Sequence, residues 1–257
     1  MAKAKTRQRV RNGVLLLFFI LFPVILNYLS PVLSLHGASQ GIISGSLLFF
    51  ALLFVSSLLL GRAYCGWACP GGAAQEMCKL VNDRRVRRRR LDWIKYLIWI
   101  PWFTAIIFFL IRAGWTSLGG APLGRTPLIQ PLYNMDTFVS VDSAPMYIIY
   151  FIVLAVIIVP ALAVGRRTMC HSICWMAPFM ILGRKLRNLV RWPALRLKSE
   201  TEKCTSCGTC TKNCPMSLEV QEMVEKSRME NSECILCGQC VDSCPQGAIR
   251  YSFSRGV

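Results

Sequence analysis

The chain has 257 residues, 54% of them hydrophobic, with a mean hydropathy of +0.43 and a formal net charge of +17. It is too apolar for an ordinary water-soluble domain. The positive charge is confined to residues 1–199, which carry 24 basic and 5 acidic groups, whereas residues 200–257 carry 6 and 8. A basic excess tied to the apolar part speaks for a membrane surface and against nucleic acid.

No charged residue occurs from Asn12 to Gly61. His36-Gly37-Ala38-Ser39-Gln40-Gly41 divides this stretch, which predicts membrane spans at about 13–35 and 41–61. The first is too long for a cleaved signal peptide. After the second comes Gly61-Arg62-Ala63-Tyr64-Cys65-Gly66-Trp67-Ala68-Cys69-Pro70, then Cys78, then the polybasic run from Arg84 to Arg90. A third span is predicted at about 95–113, with Lys95 and Arg112 snorkelling from its ends. The loop from Ala113 to Asp142 is rich in Gly and Pro and too small for a domain. A fourth span follows at about 143–165. Each is near the ~20 residues that cross a bilayer, and prolines such as Pro23, Pro31, Pro101 and Pro160 are tolerated there. Gly165-Arg166-Arg167-Thr168-Met169-Cys170-His171-Ser172-Ile173-Cys174-Trp175 comes next. Met176 to Trp192 reads as a basic interfacial helix, and Ala194 to Lys203 as a link.

Lys and Arg number 5 in residues 1–13, 9 in 62–95, 8 in 166–199 and 6 in 200–257; only Arg112 and Arg125 fall in the remaining loops. The positive-inside rule then predicts a multi-pass protein of the cytoplasmic (inner) membrane, with both termini and the C-terminal domain cytoplasmic. The two span pairs share one orientation and one ending, Gly-Arg followed by Cys-x3-Cys. This parallel repeat should bring the two cysteine loops together about an axis along the membrane normal.

The residues i and i+4 of each loop share a helix face, so Cys65, Cys69, Cys170 and Cys174 can present four sulfurs to a third centre, an iron–sulfur cluster or a soft metal. Cys78 is a substitute ligand. Redox-active thiols and packed thiols are the other readings of these five cysteines. His171 can be a ligand, a relay or a hydrogen-bonded interfacial histidine. His36 is predicted at the opposite face, so a bis-His haem within this chain is unavailable.

The C-terminal cysteines fall as Cys204-x2-Cys207-x2-Cys210-x3-Cys214-Pro215 and Cys234-x2-Cys237-x2-Cys240-x3-Cys244-Pro245. Three thiolates two residues apart wrap three corners of a cubane, and the fourth points away to the other cluster. The spacing predicts one [4Fe–4S] cluster on Cys204, Cys207, Cys210 and Cys244, and a second on Cys234, Cys237, Cys240 and Cys214. Zinc prefers isolated cysteine pairs. A short helix is expected within Leu218 to Glu230 and a strand from Ile249 to Phe253. The expected fold is thus mainly α: a four-helix transmembrane domain of two repeated hairpins over 1–198, and an α+β bacterial-type two-cluster ferredoxin domain over 199–257.

The Cys65-Gly66-Trp67-Ala68-Cys69-Pro70 loop, the repeated Cys-x3-Cys and the two-cluster ferredoxin together resemble the membrane polyferredoxin family, which includes NapH-type quinol dehydrogenase subunits, NosR regulators and CcoG-type copper reductases. Two departures stand out: Cys174 is followed by Trp175 rather than proline, and no flavin attachment sequence is present. The resemblance implies an electron-transfer protein between the quinone pool or a membrane redox partner and cytoplasmic or membrane-associated redox proteins. With no Gly-x-Gly-x-x-Gly turn, a subunit of an oxidoreductase complex is expected rather than a self-contained enzyme. Metal handling, as in a copper reductase or chaperone, and redox sensing are the alternatives.

Overall fold

The computed structural model describes residues 2–86, 92–118, 128–131, 139–141 and 143–255. The chain opens with α1 (Ala2–Ile20), α2 (Phe22–Ile25), a 3₁₀ turn at Leu26–Leu29 and α3 (Pro31–Ser39). The single span expected at 13–35 is therefore broken. The chain bends by 59° between Thr6–Ile20 and Phe22–Leu29, and α3 starts afresh on a Ser30 cap. Pro23 and Pro31 account for both breaks. Each lacks the N–H that would continue the preceding helix, and each sits in the first turn of the next, where that loss costs nothing.

A short strand β1 (Ile42–Ser44) precedes α4 (Gly45–Leu60) and pairs in parallel with β2 (Leu128–Gln130). Two short helices follow α4: α5 (Ala63–Trp67), one turn long, and α6 (Pro70–Met77), two turns long. Then come α7 (Ile94–Leu118) and α8 (Ala144–Ala163). Ile94–Arg112 and Ala144–Ala163 are long and apolar enough to cross a membrane. The bent pair in α1 and α2 passes the same test as one broken span, and α4 is a shorter apolar helix. Of the loop expected at 113–142, the stretches 119–127, 132–138 and Asp142 lie outside the described residues, as do Arg87 to Arg90 of the polybasic run.

After α8 come α9 (Thr168–Ser172) and α10 (Ala177–Leu189). The expectation of an interfacial α10 is overturned. Its first turns are buried: Ala177, Met180 and Ile181 are almost without exposure. Phe179 stacks on Phe50 with ring centroids 5.4 Å apart and meets Trp99, Trp102 and Phe103 edge-on. Phe50 lies roughly 15 Å along α4 from its end at Leu60, at ~1.5 Å per residue. So α10 starts deep among the apolar helices and runs outward, its aromatic end sealed and its arginines Arg184 and Arg187 themselves buried. Gly183 permits the close approach, because a Cβ there would collide with Ser57 Oγ and come within 2.8 Å of the Phe54 carbonyl.

The ferredoxin half begins with β3 (Ala194–Ser199), where a link was expected. It pairs antiparallel with β4 (Ile249–Ser254) in unbroken register from Ala194↔Ser254 to Ser199↔Ile249. The boundary drawn at 199 thus falls at the last residue of a strand. Three short helices lie between, α11 (Thr209–Lys212), α12 (Val220–Glu225) and α13 (Gln239–Asp242). This half sits against the membrane half through ion pairs, those of Glu233 buried and those of Glu230 partly exposed. Glu233 takes Arg62 at 2.8 Å and Lys95 at 2.6 Å. Glu230 takes Arg184 at 2.5 Å and lies 3.4 Å from Arg196.

Candidate iron–sulfur and membrane-face sites

In the ferredoxin half, the two cysteine runs fold as near copies. A residue with positive φ ends each first x2 step, Ser206 and Leu236 at 51°, and Gly208 and Gly238 repeat the left-handed turn two residues on. These reversals throw three thiols to one side. One cavity is lined by Cys204, Cys207, Cys210 and Cys244, and a second by Cys214, Cys234, Cys237 and Cys240. The fourth cysteine of each run therefore lines the cavity of the other. Burial, then the nearness of Cys237, pushes the Cys214 thiol up to about 12, and burial raises Cys237 to about 11. Thiols in such surroundings give up their protons only to a cation they can share, and thiolate-bound iron is such a partner. Among the described residues no three ligand groups converge closely enough for a single metal ion. Four thiols around a volume suit a cubane, which offers each sulfur its own iron.

The membrane-face cysteines repeat each other in detail. Cys65 and Cys170 are the third residues of the one-turn helices α5 and α9. Cys69 N donates to Tyr64 O at 3.0 Å, and Cys174 N to Met169 O at 3.0 Å. Each second cysteine takes a backbone hydrogen bond at its sulfur from the residue three further on, Gly72 for Cys69 and Ala177 for Cys174. The first turn of α6 or α10 thus points its free N–H groups at a thiol. All four are 4% exposed. Burial, then the charges of Cys65, Cys170 and Cys174, raises Cys69. Burial, then Cys170 and Cys65, raises Cys174 to about 12. Cys78 is buried at the end of α6.

Several neighbours carry no spacing signal. Gln75 Nε2 donates to Cys170 Sγ at 3.1 Å while its Oε1 accepts from Met169 N, tying α6 of one repeat to α9 of the other. Met180 Sδ lies 3.9 Å from Cys65 Sγ. Arg167 donates to the Cys65 carbonyl at 2.8 Å and to Glu76 at 2.6 Å, and Arg11 joins Glu76 and donates to the Gly66 carbonyl at 2.7 Å. The two Gly-Arg steps of the repeat have parallel uses. Arg62 reaches Ser232 O and Glu233, next to Cys234, and Arg166 donates to Lys212 O at 2.6 Å, two residues before Cys214. His171 is buried, with Nδ1 3.8 Å from Asp92. His36 is exposed and lines the far wall of an apolar cavity whose near wall includes Cys69, Cys170 and Cys174. Phe22, Leu29, Ile157 and Trp175 line it between.

Comparison with known proteins agrees with this geometry. A family described as a 4Fe-4S binding domain matches twice, at residues 44–90 and 145–193, and a 4Fe-4S dicluster domain matches 203–249. YccM of Escherichia coli is 24% identical over 78% of this chain and 56% of its own length. The methylamine utilization ferredoxin-type protein MauN of Methylorubrum extorquens is 28% identical over 72% and 59%. The regulatory protein NosR of Pseudomonas aeruginosa is 26% identical over 73% and 25%. The chain thus spans a little over half the length of YccM and MauN. No solved structure matches. Two cavities each lined by four thiols and a 4Fe-4S domain matched twice in the apolar half make this chain an iron–sulfur protein carrying two [4Fe–4S] clusters, similar to membrane polyferredoxin-type proteins.

Proposed function

We propose that the chain is an electron relay between the membrane and redox proteins on its cytoplasmic side. In this reading Cys204, Cys207, Cys210 and Cys244 hold one [4Fe–4S] cluster, and Cys234, Cys237, Cys240 and Cys214 hold the other. Cys65, Cys69, Cys170 and Cys174 form a third redox centre, and the chain crosses the membrane four times with both termini inside. The carrying observation is the apolar cavity, which opens among α2, α3 and α8 and has three of the four membrane-face cysteines in its wall. Such a cavity takes an apolar-tailed two-electron carrier, a quinol, and sets its ring beside thiols rather than water. YccM is named for electron transport and MauN as ferredoxin-type, which supports the same reading. Anaerobic protein in lipid vesicles should show its cluster EPR signal after addition of a naphthoquinol. It should contain metal beyond the eight irons of two cubanes, and Cys65→Ser/Cys170→Ser should remove both the excess and the reduction. Unchanged metal and rate in that variant would leave these cysteines structural.

One observation favours a second reading, soft-metal handling. Met180 lies against Cys65, and Met169 beside Cys170, so thioethers accompany the thiols as they do at copper(I) sites. Reversible uptake of one copper(I) per chain that survives loss of the ferredoxin clusters, with no quinol-driven reduction, would favour it.

A further inference from the structure

The two ferredoxin runs differ at several positions, and the structure gives one dipeptide among them a use. After Cys204 come Thr205 and Ser206, exposed like Cys207 itself. After Cys234 come Ile235 and Leu236, each 2% exposed. The apolar pair is covered by the Cys65-Gly66-Trp67 turn of the membrane half. A Cβ on Gly66 would collide with the Ile235 carbonyl oxygen and stand 3.4 Å from Cys237 Cα, so only glycine lets the two backbones touch. Trp67 Nε1 donates to the Leu236 carbonyl at 3.1 Å, and the Tyr251 hydroxyl donates to the same oxygen at 2.7 Å. This pins a residue held at positive φ. Gln8 donates to the Cys237 carbonyl at 3.2 Å. Arg167 lies between the two groups, its guanidinium favoured by Cys170 and Cys69 on one side and by Cys237 on the other. Nothing comparable joins the Cys207 loop to the membrane half among the described residues.

We propose that Gly66 is the positioning residue that wires the membrane-face cysteines to the Cys237 site, leaving the Cys207 site as the outer terminal toward soluble partners. This rests on the relay reading above. Electrons cross from the Cys65–Gly66 backbone to the Ile235–Cys237 backbone, and no atom is transferred. One quinol gives up two electrons and releases two protons to water, and each of the two four-thiol sites takes up one electron.

The test uses full-length protein in lipid vesicles with a naphthoquinol as donor. Gly66→Ala should keep wild-type iron content. It should slow reduction of both clusters several-fold and raise deuterium uptake at Ile235 to Cys237. It should also shift the midpoint potential of the Cys237 cluster alone. Ser206→Ala, in the outer copy of the loop, should change none of these. Cys237→Ala should leave the outer cluster present but unreduced, whereas Cys207→Ala should leave the inner one reducible. Wild-type kinetics in Gly66→Ala, or an outer cluster still reduced at the wild-type rate in Cys237→Ala, overturns the wiring while the relay stands. Wild-type protein with no metal beyond its two cubanes, or with clusters that stay oxidised under the quinol, overturns the relay and the wiring with it.

Discussion

Glu233 is buried between Arg62, which follows α4, and Lys95, which opens α7, and both cations are fully buried themselves. Burial alone would raise its carboxyl, but the two cations hold it at about 2. Removing the anion strands two desolvated charges, a loss of about 3–5 kcal/mol for a buried pair. Glu233→Gln should therefore lower the temperature at which full-length protein loses its cluster absorbance by many degrees. Glu230 faces more cations, yet its side chain is 38% exposed, so Glu230→Gln should cost less and lose its effect at high salt. Cys214 offers a sharper test of residue-level reasoning. It lies in the first run but lines the second cavity. Cys214→Ala should abolish the EPR signal of the Cys234-run cluster and spare the cluster nearer in sequence; loss of the nearer one would refute crossed ligation.

Among the elements, α10 and β3 departed furthest from what the sequence suggested. The α10 segment mixes Phe179, Met180 and Ile181 with Arg184, Lys185 and Arg187, a composition that an interfacial helix shares. What separates the two is Glu230, 46 residues from Arg184, which neutralises that face at long range and is invisible to any local pattern. Gly183→Ala should push α10 off α4 and cost about 1–3 kcal/mol in thermal unfolding. Ser57→Ala added to it should recover part of that loss, since one of the two clashing groups is the Ser57 hydroxyl. In β3, Leu195 and Leu197 alternate with Arg196 and Lys198, a period-2 signal that basic side chains disguise as a linker. A fragment starting at Ala194 should hold two clusters through more rounds of anaerobic gel filtration than one starting at Ser199, because only the former keeps the full β3–β4 register. The cysteine sites were legible because ligand type and spacing are local. Gln75, Arg11 and Arg167 were not, because each acts on a cysteine far along the chain and belongs to no pattern of its own.

At the scale of the whole molecule, the basic residues that predict orientation are also structural partners. Arg7, Arg11, Arg62 and Arg166 all end on the ferredoxin half or on the loop beneath it. Four crossings require that reporter fusions after Gly165 and at the C-terminus read inside and one near Pro127 outside; an outside reading at the C-terminus would rule the proposed topology out. The α1 helix reaches across to α13. Gln8 donates to Asp242 across 234 residues, and Arg7 pairs with the same carboxylate at 3.1 Å. Translation makes this strap long before its partner at Asp242. The segment must wait, bare and basic, until Asp242 has emerged. The strap can close over the Cys237 loop only after that, and iron and sulfide must reach that pocket before the door behind them shuts.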